Sequence, residues 1–220
     1  MLLFGSSFSP FARKVLAFAA EKDIALETRP IGLRSTDPEF LAVSPFRRIP
    51  ALTDGDFSIS DSSAIVAYLD ALKPDPVLVP AGPRERARVT WFDEFADTIM
   101  FPVGAKMFFN RVVSPLFLRE PGDMAVADRA EAEELPAVLD YIEAQVPASG
   151  YLVGDRLTLA DIAVASPFVN LAHAGVDMSR RPALSGYVRG ILERPSFATW
   201  IEREGRAIAK ASGRGASNSG

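Results

Sequence analysis

Cysteine is absent from this 220-residue sequence, and histidine occurs once, at position 173. Without cysteine the chain forms no disulfide, no thiolate metal site and no cysteine nucleophile, and one histidine excludes a metal site built from several histidines. We therefore expect no metal ion. Any chemistry that needs a thiol must use the thiol of a bound molecule.

The sequence also has no long apolar run and no excess of basic residues. A run such as Ala64–Leu69 is far shorter than the ~20 residues that a membrane-spanning helix needs, so no membrane partner is expected. The 24 Lys and Arg residues stand against 28 Asp and Glu, which gives a net charge of −4. Nucleic acid is not expected as a partner, because phosphate binding favours a basic surface. The N-terminus lacks the features of a signal peptide, so we expect a cytoplasmic location.

Strand and helix patterns alternate over the first 72 residues, and the 48% hydrophobic content is enough for a core. Ser9 and Pro10 are typical of a helix start. The order of elements predicts a small α/β sheet with parallel and antiparallel pairs, similar to thioredoxin. The predicted elements are the strand Leu2–Phe4, the helix Pro10–Lys22, the strand Ala25–Arg29, a short helix through Phe40 and Leu41, the hairpin Pro50–Thr53 and Phe57–Ser60, and the helix Ser62–Leu72.

The remainder of the chain has helical periodicity. A proline-rich stretch without periodicity predicts a linker before it, and a small, polar, glycine-rich tail is predicted to be disordered. The long first helix of this part should bend at Pro102. The predicted division is an α/β domain over residues 1–75, a linker over 76–83, an all-α domain over 84–209, and a tail over 210–220.

Four motifs in this order resemble the cytosolic glutathione transferase family over about residues 1–205. They are Ser9–Val15, Arg48–Leu52, Ile59–Ile65 and Tyr151–Ile162. The resemblance implies the glutathione transferase fold, with a thioredoxin-like first domain that holds most of the co-substrate glutathione and a helical second domain. It also implies a homodimer. It does not imply a particular second substrate.

Ser9 is the candidate catalytic residue. A thiol of pKa near 8.5 is only about 3% thiolate at pH 7, whereas a pKa near 6.5 makes roughly three quarters of it reactive. A hydroxyl that donates to the sulfur at a helix N-terminus favours the thiolate. By the resemblance, Ser9 takes the place of the catalytic serine of the tau and zeta classes. The alternatives are that Ser9 only caps the helix, or that Ser7, and after it Ser6, reaches the sulfur.

The resemblance also implies a set of glutathione-binding residues, Phe11 among them. A cis peptide bond before Pro50 would leave the backbone of Ile49 free to pair with the cysteinyl unit of glutathione, although a trans proline at a strand start is the alternative. Arg48, and less strongly Arg47, would pair with the glycyl carboxylate, unless both are solvated surface residues.

Asp61 and Ser62 form the γ-glutamyl site that the resemblance implies. Ser62 and the N-terminal amides of its helix would hold the α-carboxylate, while Asp61 faces the α-ammonium. Both residue types are also ordinary helix starters. Asp61 is shorter than the Glu or Gln usual there, and Ser44 replaces a common Asn in the preceding loop.

Aromatic residues and methionine in the distal half of the long helix, Phe101, Met107, Phe108 and Phe109, fall where the family lines its second-substrate pocket. The alternative is that they belong to the core. Phe46 could insert into a partner subunit or pack in its own domain.

Two further features favour structural roles. Thr158 and Asp161 have the spacing of a capping box that folds the following helix. His173 is expected to be a partner for neighbouring groups without a catalytic role.

The sequence therefore predicts an enzyme that lowers the thiol pKa of glutathione through Ser9 and adds the thiolate to a small hydrophobic electrophile. Isomerase, ether-cleaving and dehalogenating reactions of the same thiolate stay open. Thiol–disulfide exchange by the chain itself is disfavoured because it has no thiol. The alternative function is a non-catalytic binding or interaction protein with the same fold.

Overall fold

The computed structural model describes residues 1–213. The predicted tail, residues 210–220, lies mostly outside the described residues. Lys210 and Ala211, at its start, continue the last helix and are not part of a tail.

A four-stranded sheet organises the first 72 residues. The strand order is β2-β1-β3-β4, with β1 and β2 parallel and the other pairs antiparallel, which confirms the predicted α/β, thioredoxin-like arrangement. The second strand is shorter than predicted and begins at Glu27. The elements are β1 (Leu2–Phe4), α1 (Pro10–Glu21), β2 (Glu27–Arg29), α2 (Pro38–Val43), β3 (Ala51–Asp54), β4 (Phe57–Ser60) and α3 (Ser62–Leu72).

The α1 helix is buried between the sheet domain and the helical domain, where it packs on α3 and on two helices of the second domain. The helical periodicity of this segment predicts Arg13 and Lys14 at polar positions of the helix, on its exposed side, and this prediction is wrong. Both side chains have essentially no exposed surface and pair with carboxylates from the second domain. Charged residues are buried in this way only when they are paired.

Lys22, at the end of α1, anchors the segment that joins the domains. Its buried Nζ donates to the carbonyls of Lys73, Pro74 and Pro76 at 2.7, 2.9 and 2.8 Å. The proline-rich segment therefore follows a fixed path along the first domain.

Helices make up the rest of the described chain. Three π-helical segments interrupt them, and each has a proline inside it or two residues after it, at Pro102, Pro115 and Pro136. Proline removes a backbone donor and crowds the preceding turn, and a wider π turn accommodates both effects. The elements are α4 (Pro83–Phe95), π (Ala96–Met100), α5 (Phe101–Phe108), π (Phe109–Leu118), α6 (Met124–Arg129), π (Ala130–Glu134), α7 (Leu135–Gln145), α8 (Leu159–His173), α9 (Pro182–Leu192) and α10 (Pro195–Ala211).

The α8 helix is the centre of the second domain, and every residue from Leu159 to Leu171 is buried. Asp161 fixes its start by accepting from Thr158 N–H and Leu152 N–H, both at 2.8 Å, and from the Tyr187 hydroxyl at 3.1 Å. Burial raises the pKa of Asp161 above its usual value. Thr158 and Asp161 thus have the structural role that their spacing predicts. No helix within residues 1–213 is both long and apolar enough to cross a membrane.

Candidate active site

Three loops meet at one edge of the sheet, because β1 ends where the antiparallel β3 begins, with Phe4 opposite Ala51. A Cβ atom on Gly5 would lie 3.2 Å from Ala12 Cβ and 3.8 Å from Pro50 Cα, so glycine permits this close approach. The Pro50 carbonyl accepts from Asp61 N–H at 3.3 Å. The β1–α1 loop, the loop before β3 and the start of α3 are therefore neighbours.

Ser9 is the N-cap of α1, and its Oγ accepts a long hydrogen bond of 3.5 Å from Ala12 N–H. Within residues 1–213 its hydroxyl donates to no other group. The side chain is half-buried at the positive end of the helix. Since a hydroxyl accepts and donates at once, capping the helix leaves the Ser9 hydrogen available to a ligand.

The hydroxyls of Ser6 and Ser7, which are the alternatives to Ser9, contact other groups. Ser6 Oγ accepts from Phe8 N–H at 3.4 Å. Ser7 faces the buried carboxylate of Glu204 on α10. Although burial opposes it, Arg13, His173 and Ser7 hold the pKa of Glu204 below its usual value.

A cavity of about 260 Å³ lies between this loop and α10. Ser6, Ser7 and Glu204 line it together with Trp200, and Ser9 does not. Ser7 thus faces a different space from the available hydroxyl of Ser9.

The Ile49–Pro50 peptide bond is cis, as predicted. Neither the N–H nor the C=O of Ile49 has a hydrogen-bond partner within the described residues. The residue is half-buried. Such unpaired backbone groups can pair with an extended peptide.

Arg47 and Arg48 are exposed, and neither forms an ion pair with any residue among 1–213. Ser44 closes the loop that carries them. Its Oγ accepts from Arg48 N–H at 2.9 Å and donates to the Arg48 carbonyl at 2.7 Å. This explains the serine at position 44 as a local loop clamp, and it leaves both guanidinium groups available for an anion.

Asp61 differs from the expected arrangement. It has a positive φ of 89°, and its Oδ1 accepts from Ser63 N–H and Ala64 N–H, both at 3.0 Å. Asp61 therefore occupies the helix amides that were expected to hold a ligand carboxylate. Ser62 is buried beside it, and its Oγ donates to Asp97 Oδ2 at 3.4 Å.

A charge cluster beneath Ser62 was missed from the sequence. Lys14 Nζ lies 2.6 Å from Asp93 Oδ1, 2.7 Å from Asp97 Oδ2 and 3.2 Å from Ser63 Oγ. Burial raises the pKa of Asp97 to about 6, although Lys14 opposes the shift. The signal in the sequence that could have indicated this cluster is the i, i+4 spacing of Asp93 and Asp97, which puts both on one helix face.

A second buried cluster joins α1 to α8 and α10. Arg13 Nη2 and Nε donate to Glu204 at 2.9 and 3.2 Å, and His173 Nε2 lies 3.0 Å from the same carboxylate. His173 is therefore a partner for a neighbouring group, as expected. The pairing with Glu204 joins residues 191 positions apart, and no local pattern indicates it.

Aromatic residues precede and follow Ser9 in the chain, and each packs on aromatic residues of the helical domain. The ring of Phe8, before it, lies 6.2 Å from that of Phe108 and 5.1 Å from that of Phe117. Phe11, after it, lies 4.5 Å from Phe101. Apolar walls next to a hydroxyl are suited to a hydrophobic ligand.

Met107 and Phe109 are not part of these walls. Met107 has no exposed surface and belongs to the helical core, while Phe109 is exposed. Phe8 and Phe117 are the contributors that sequence reasoning missed. Helical periodicity predicts the long helix from Arg84 to about Asn110, whereas the π-helical segment continues to Leu118, so Phe117 was missed.

Family models match both parts of the chain. Residues 3–77 match the model described as "Glutathione S-transferase, N-terminal domain", and residues 105–195 match "Glutathione S-transferase, C-terminal domain". A glutathione S-transferase of Hyoscyamus muticus is 32% identical over 209 residues, which cover 92% of this chain and 98% of that protein. The chain belongs to the glutathione S-transferase family of enzymes.

Solved structures agree with this assignment. Glutathione transferase F7 of Populus trichocarpa superposes with a TM-score of 0.80 at 29% identity, over 91% of this chain and 97% of that one. A theta class glutathione S-transferase of Xanthomonas axonopodis pv. citri, solved with glutathione bound, gives a TM-score of 0.80 at 25% identity, over 91% and 96%. The likeness extends over both domains of this glutathione S-transferase family member.

Proposed function

We propose that this protein binds glutathione, stabilises its thiolate through the hydroxyl of Ser9, and transfers the glutathionyl group to a small hydrophobic electrophile. The observation that carries the proposal is the available hydroxyl hydrogen of Ser9 at the N-terminus of α1, in a loop next to that of Ile49, whose backbone has no partner among residues 1–213. The glutathione-bound theta class relative supports glutathione as the ligand.

This arrangement can supply the free energy that is needed to lower the thiol pKa. Lowering a thiol pKa by two units requires about 2.7 kcal/mol. A hydrogen bond to a charged group contributes about 1.5–3 kcal/mol, and the helix N-terminus adds to it. The thiol proton leaves to solvent, the Ser9 hydroxyl donates to the sulfur anion, and the sulfur forms a bond to the electrophilic carbon. In an addition, the π bond of the electrophile breaks and its electron pair takes a proton from solvent. In a substitution, the bond to the leaving group breaks and that group departs to solvent with the electron pair.

The remaining contacts to glutathione come from the three loops of the candidate site. The backbone of Ile49 pairs with the cysteinyl unit, Phe11 and Pro50 border it, and Arg48, with Arg47 near it, takes the glycyl carboxylate. Ser62 takes the γ-glutamyl end.

At that same end, Asp61 offers only its second carboxylate oxygen, since Oδ1 caps α3. The acidic pair of Asp61 and Asp97 matches an ammonium group better than a carboxylate. We therefore expect the γ-glutamyl ammonium to be held more firmly than its carboxylate.

The second substrate would lie against the aromatic residues that precede and follow Ser9. The partly exposed rings of Phe101, Phe8 and Phe117 provide apolar surface, and Phe108 is buried behind Phe8. Removal of the electrophile from water supplies most of its affinity. Met107 is left out because it is buried in the core. The homodimer and the cytoplasmic location stay predictions from the sequence and the family resemblance.

The test is calorimetric titration of glutathione into wild type, Ser9→Ala and Ser7→Ala, with the ultraviolet absorbance of the bound thiolate followed against pH. We expect wild type and Ser7→Ala to show thiolate near pH 7, and Ser9→Ala to bind glutathione without it. Loss of the Ser9 cap costs about 1 kcal/mol of stability, which thermal unfolding of the three proteins separates from the effect on the thiol.

Other outcomes redirect or refute the proposal. Thiolate lost in Ser7→Ala but kept in Ser9→Ala would make Ser7 the catalytic residue. No binding to wild type at millimolar glutathione would favour the non-catalytic binding or interaction protein.

A further inference from the structure

Side chains of α8 hold the main chain on both sides of Ser9. Asn170 Nδ2 donates to the carbonyl of Phe8 at 2.8 Å, and Ser166 Oγ donates to the carbonyl of Pro10 at 2.8 Å. Both side chains are buried, and both come from the second domain, more than 150 residues along the chain. The residues before and after the candidate catalytic serine are thus fixed from outside their own domain.

The polar main-chain groups of this segment are otherwise satisfied locally. Ser9 N–H donates to the Ser6 carbonyl at 2.9 Å, and Arg13 N–H donates to the Ser9 carbonyl at 2.9 Å. The local bonds fix Ser9 itself. The bond from Asn170 holds the Phe8–Ser9 peptide plane, and the bond from Ser166 holds the Pro10–Phe11 peptide plane, one residue further along. Together they set the direction in which the Ser9 Cα–Cβ bond points.

Arg13 determines which way the Asn170 amide faces. Its Nη1 donates to Asn170 Oδ1 at 3.0 Å and to the Ser166 carbonyl at 2.7 Å. Because a guanidinium only donates, the amide must turn its oxygen to Arg13 and its nitrogen to the Phe8 carbonyl. Glu204 holds Arg13 in turn through two hydrogen bonds.

We propose that Asn170 and Ser166 are positioning residues that aim the Ser9 hydroxyl at the glutathione sulfur. The inference rests on the proposed function, since it concerns the same hydroxyl. A catalytic group must be held within about 0.5 Å of its productive position, and a loop reaches that precision only when neighbouring groups fix it. Two donors from the buried central helix meet this requirement.

The test compares Asn170→Asp and Ser166→Ala with wild type. Asn170→Asp keeps the size and the acceptor for Arg13 but loses the donor to Phe8. Ser166→Ala loses the donor to Pro10 and adds no charge. Thr158→Ala is the control, because it weakens the start of the same helix without contact to the Ser9 loop.

The first measurement is amide hydrogen exchange at Ser9 in the ligand-free protein. We expect exchange of the Ser9 N–H about 10-fold faster in both variants and unchanged in Thr158→Ala. The second is the pH profile of the bound thiolate and of turnover. We expect the thiol pKa to rise by about one unit and turnover at pH 6.5 to fall about 5-fold, with the KM for glutathione within about 3-fold of wild type.

The outcomes separate the two proposals. Unchanged exchange in both variants, or faster exchange with an unchanged thiol pKa, would overturn the positioning role while the wild type stays active. A wild type without bound thiolate near pH 7 would refute the proposed function before any variant is compared. Exchange at Ser9 that is equally faster in Thr158→Ala would show a general loss of stability and would also overturn the positioning role.

Discussion

Asp97 lies beside Ser62 and shares the ammonium of Lys14 with Asp93. Its pKa of about 6 lies above the value of an unfolded aspartate, so the folded chain binds this proton more tightly than the unfolded chain does. The contribution of Asp97 to the free energy of unfolding is therefore highest below about pH 4 and falls as the pH rises through about 6.

We expect Asp97→Asn to be more stable than wild type at pH 7.5, by at most about 3 kcal/mol, and equal to it near pH 4. Asparagine still accepts from Lys14, and Asp93 keeps the countercharge. Urea unfolding at a series of pH values measures the difference. Asp140→Asn is the control, because the exposed pair of Asp140 and Arg181 contributes less than about 1 kcal/mol.

A lower stability of Asp97→Asn at every pH would contradict this expectation. It would show that Lys14 needs both carboxylate charges and that Asp97 ionises normally in the folded chain.

At the scale of elements, α1 joins the two domains through its buried cations. Lys22 at its end is the clearest case, since its ammonium meets three main-chain carbonyls and the carboxylate of Asp70 at 2.8 Å. A hydrogen bond to a charged group contributes about 1.5–3 kcal/mol, and these carbonyls share one such donor. The path of residues 73–76 thus depends on one side chain.

We expect Lys22→Met to lower the free energy of unfolding by about 3 kcal/mol or more, because it leaves a carboxylate and the carbonyls without their cation. Limited proteolysis should then cut near residues 73–76. Urea unfolding and mass spectrometry of the fragments measure both effects.

Lys73→Met is the matched control for this prediction. Lys73 belongs to the same segment, but its side chain is partly exposed and its nearest carboxylate oxygen, on Asp23, is 3.6 Å away. Equal losses in the two variants would mean that the ammonium of Lys22 does not hold the segment.

Element positions were largely predictable from the sequence, since they depend on local patterns. Ser9 with Pro10 gave the start of α1, and the Thr158–Asp161 spacing gave the start of α8. The burial of Arg13 and Lys14 was not predictable, because periodicity assigns charged residues to the exposed face. The π-helical extension to Leu118 was missed for a similar reason, as proline in a pattern indicates a bend but not a wider turn.

At the scale of the whole molecule, the side-chain contacts between the two domains are mostly what could not be predicted. The candidate site loops were found because each is a short motif, and Ile49–Pro50 has the predicted cis bond. Asn170, Ser166 and Glu204 reach that site from positions more than 150 residues away. Nothing local to these three residues distinguishes them from ordinary polar residues of a helix.

One aromatic side chain among residues 1–213 is almost fully exposed. Phe46, on the loop before β3, is 85% exposed, so it does not pack in its own domain. The edge strand β4 lies beside β3 and exposes Phe57 as well. A ring of this size contributes about 2–3 kcal/mol when it is buried. Of the two alternatives for Phe46, its exposure favours insertion into a partner subunit over packing in its own domain.

We therefore expect the chain to sediment as a dimer, and Phe46→Ala to raise the dimer dissociation constant at least about 10-fold, since 1.4 kcal/mol is a factor of ten. Leu33→Ala is the control, because Leu33 is 68% exposed and lies in a different loop. Sedimentation velocity over a concentration series distinguishes the variants. Equal dissociation constants for wild type and Phe46→Ala would mean that Phe46 does not insert. An effect of Leu33→Ala as large as that of Phe46→Ala would instead place the contact on the face that carries Leu33.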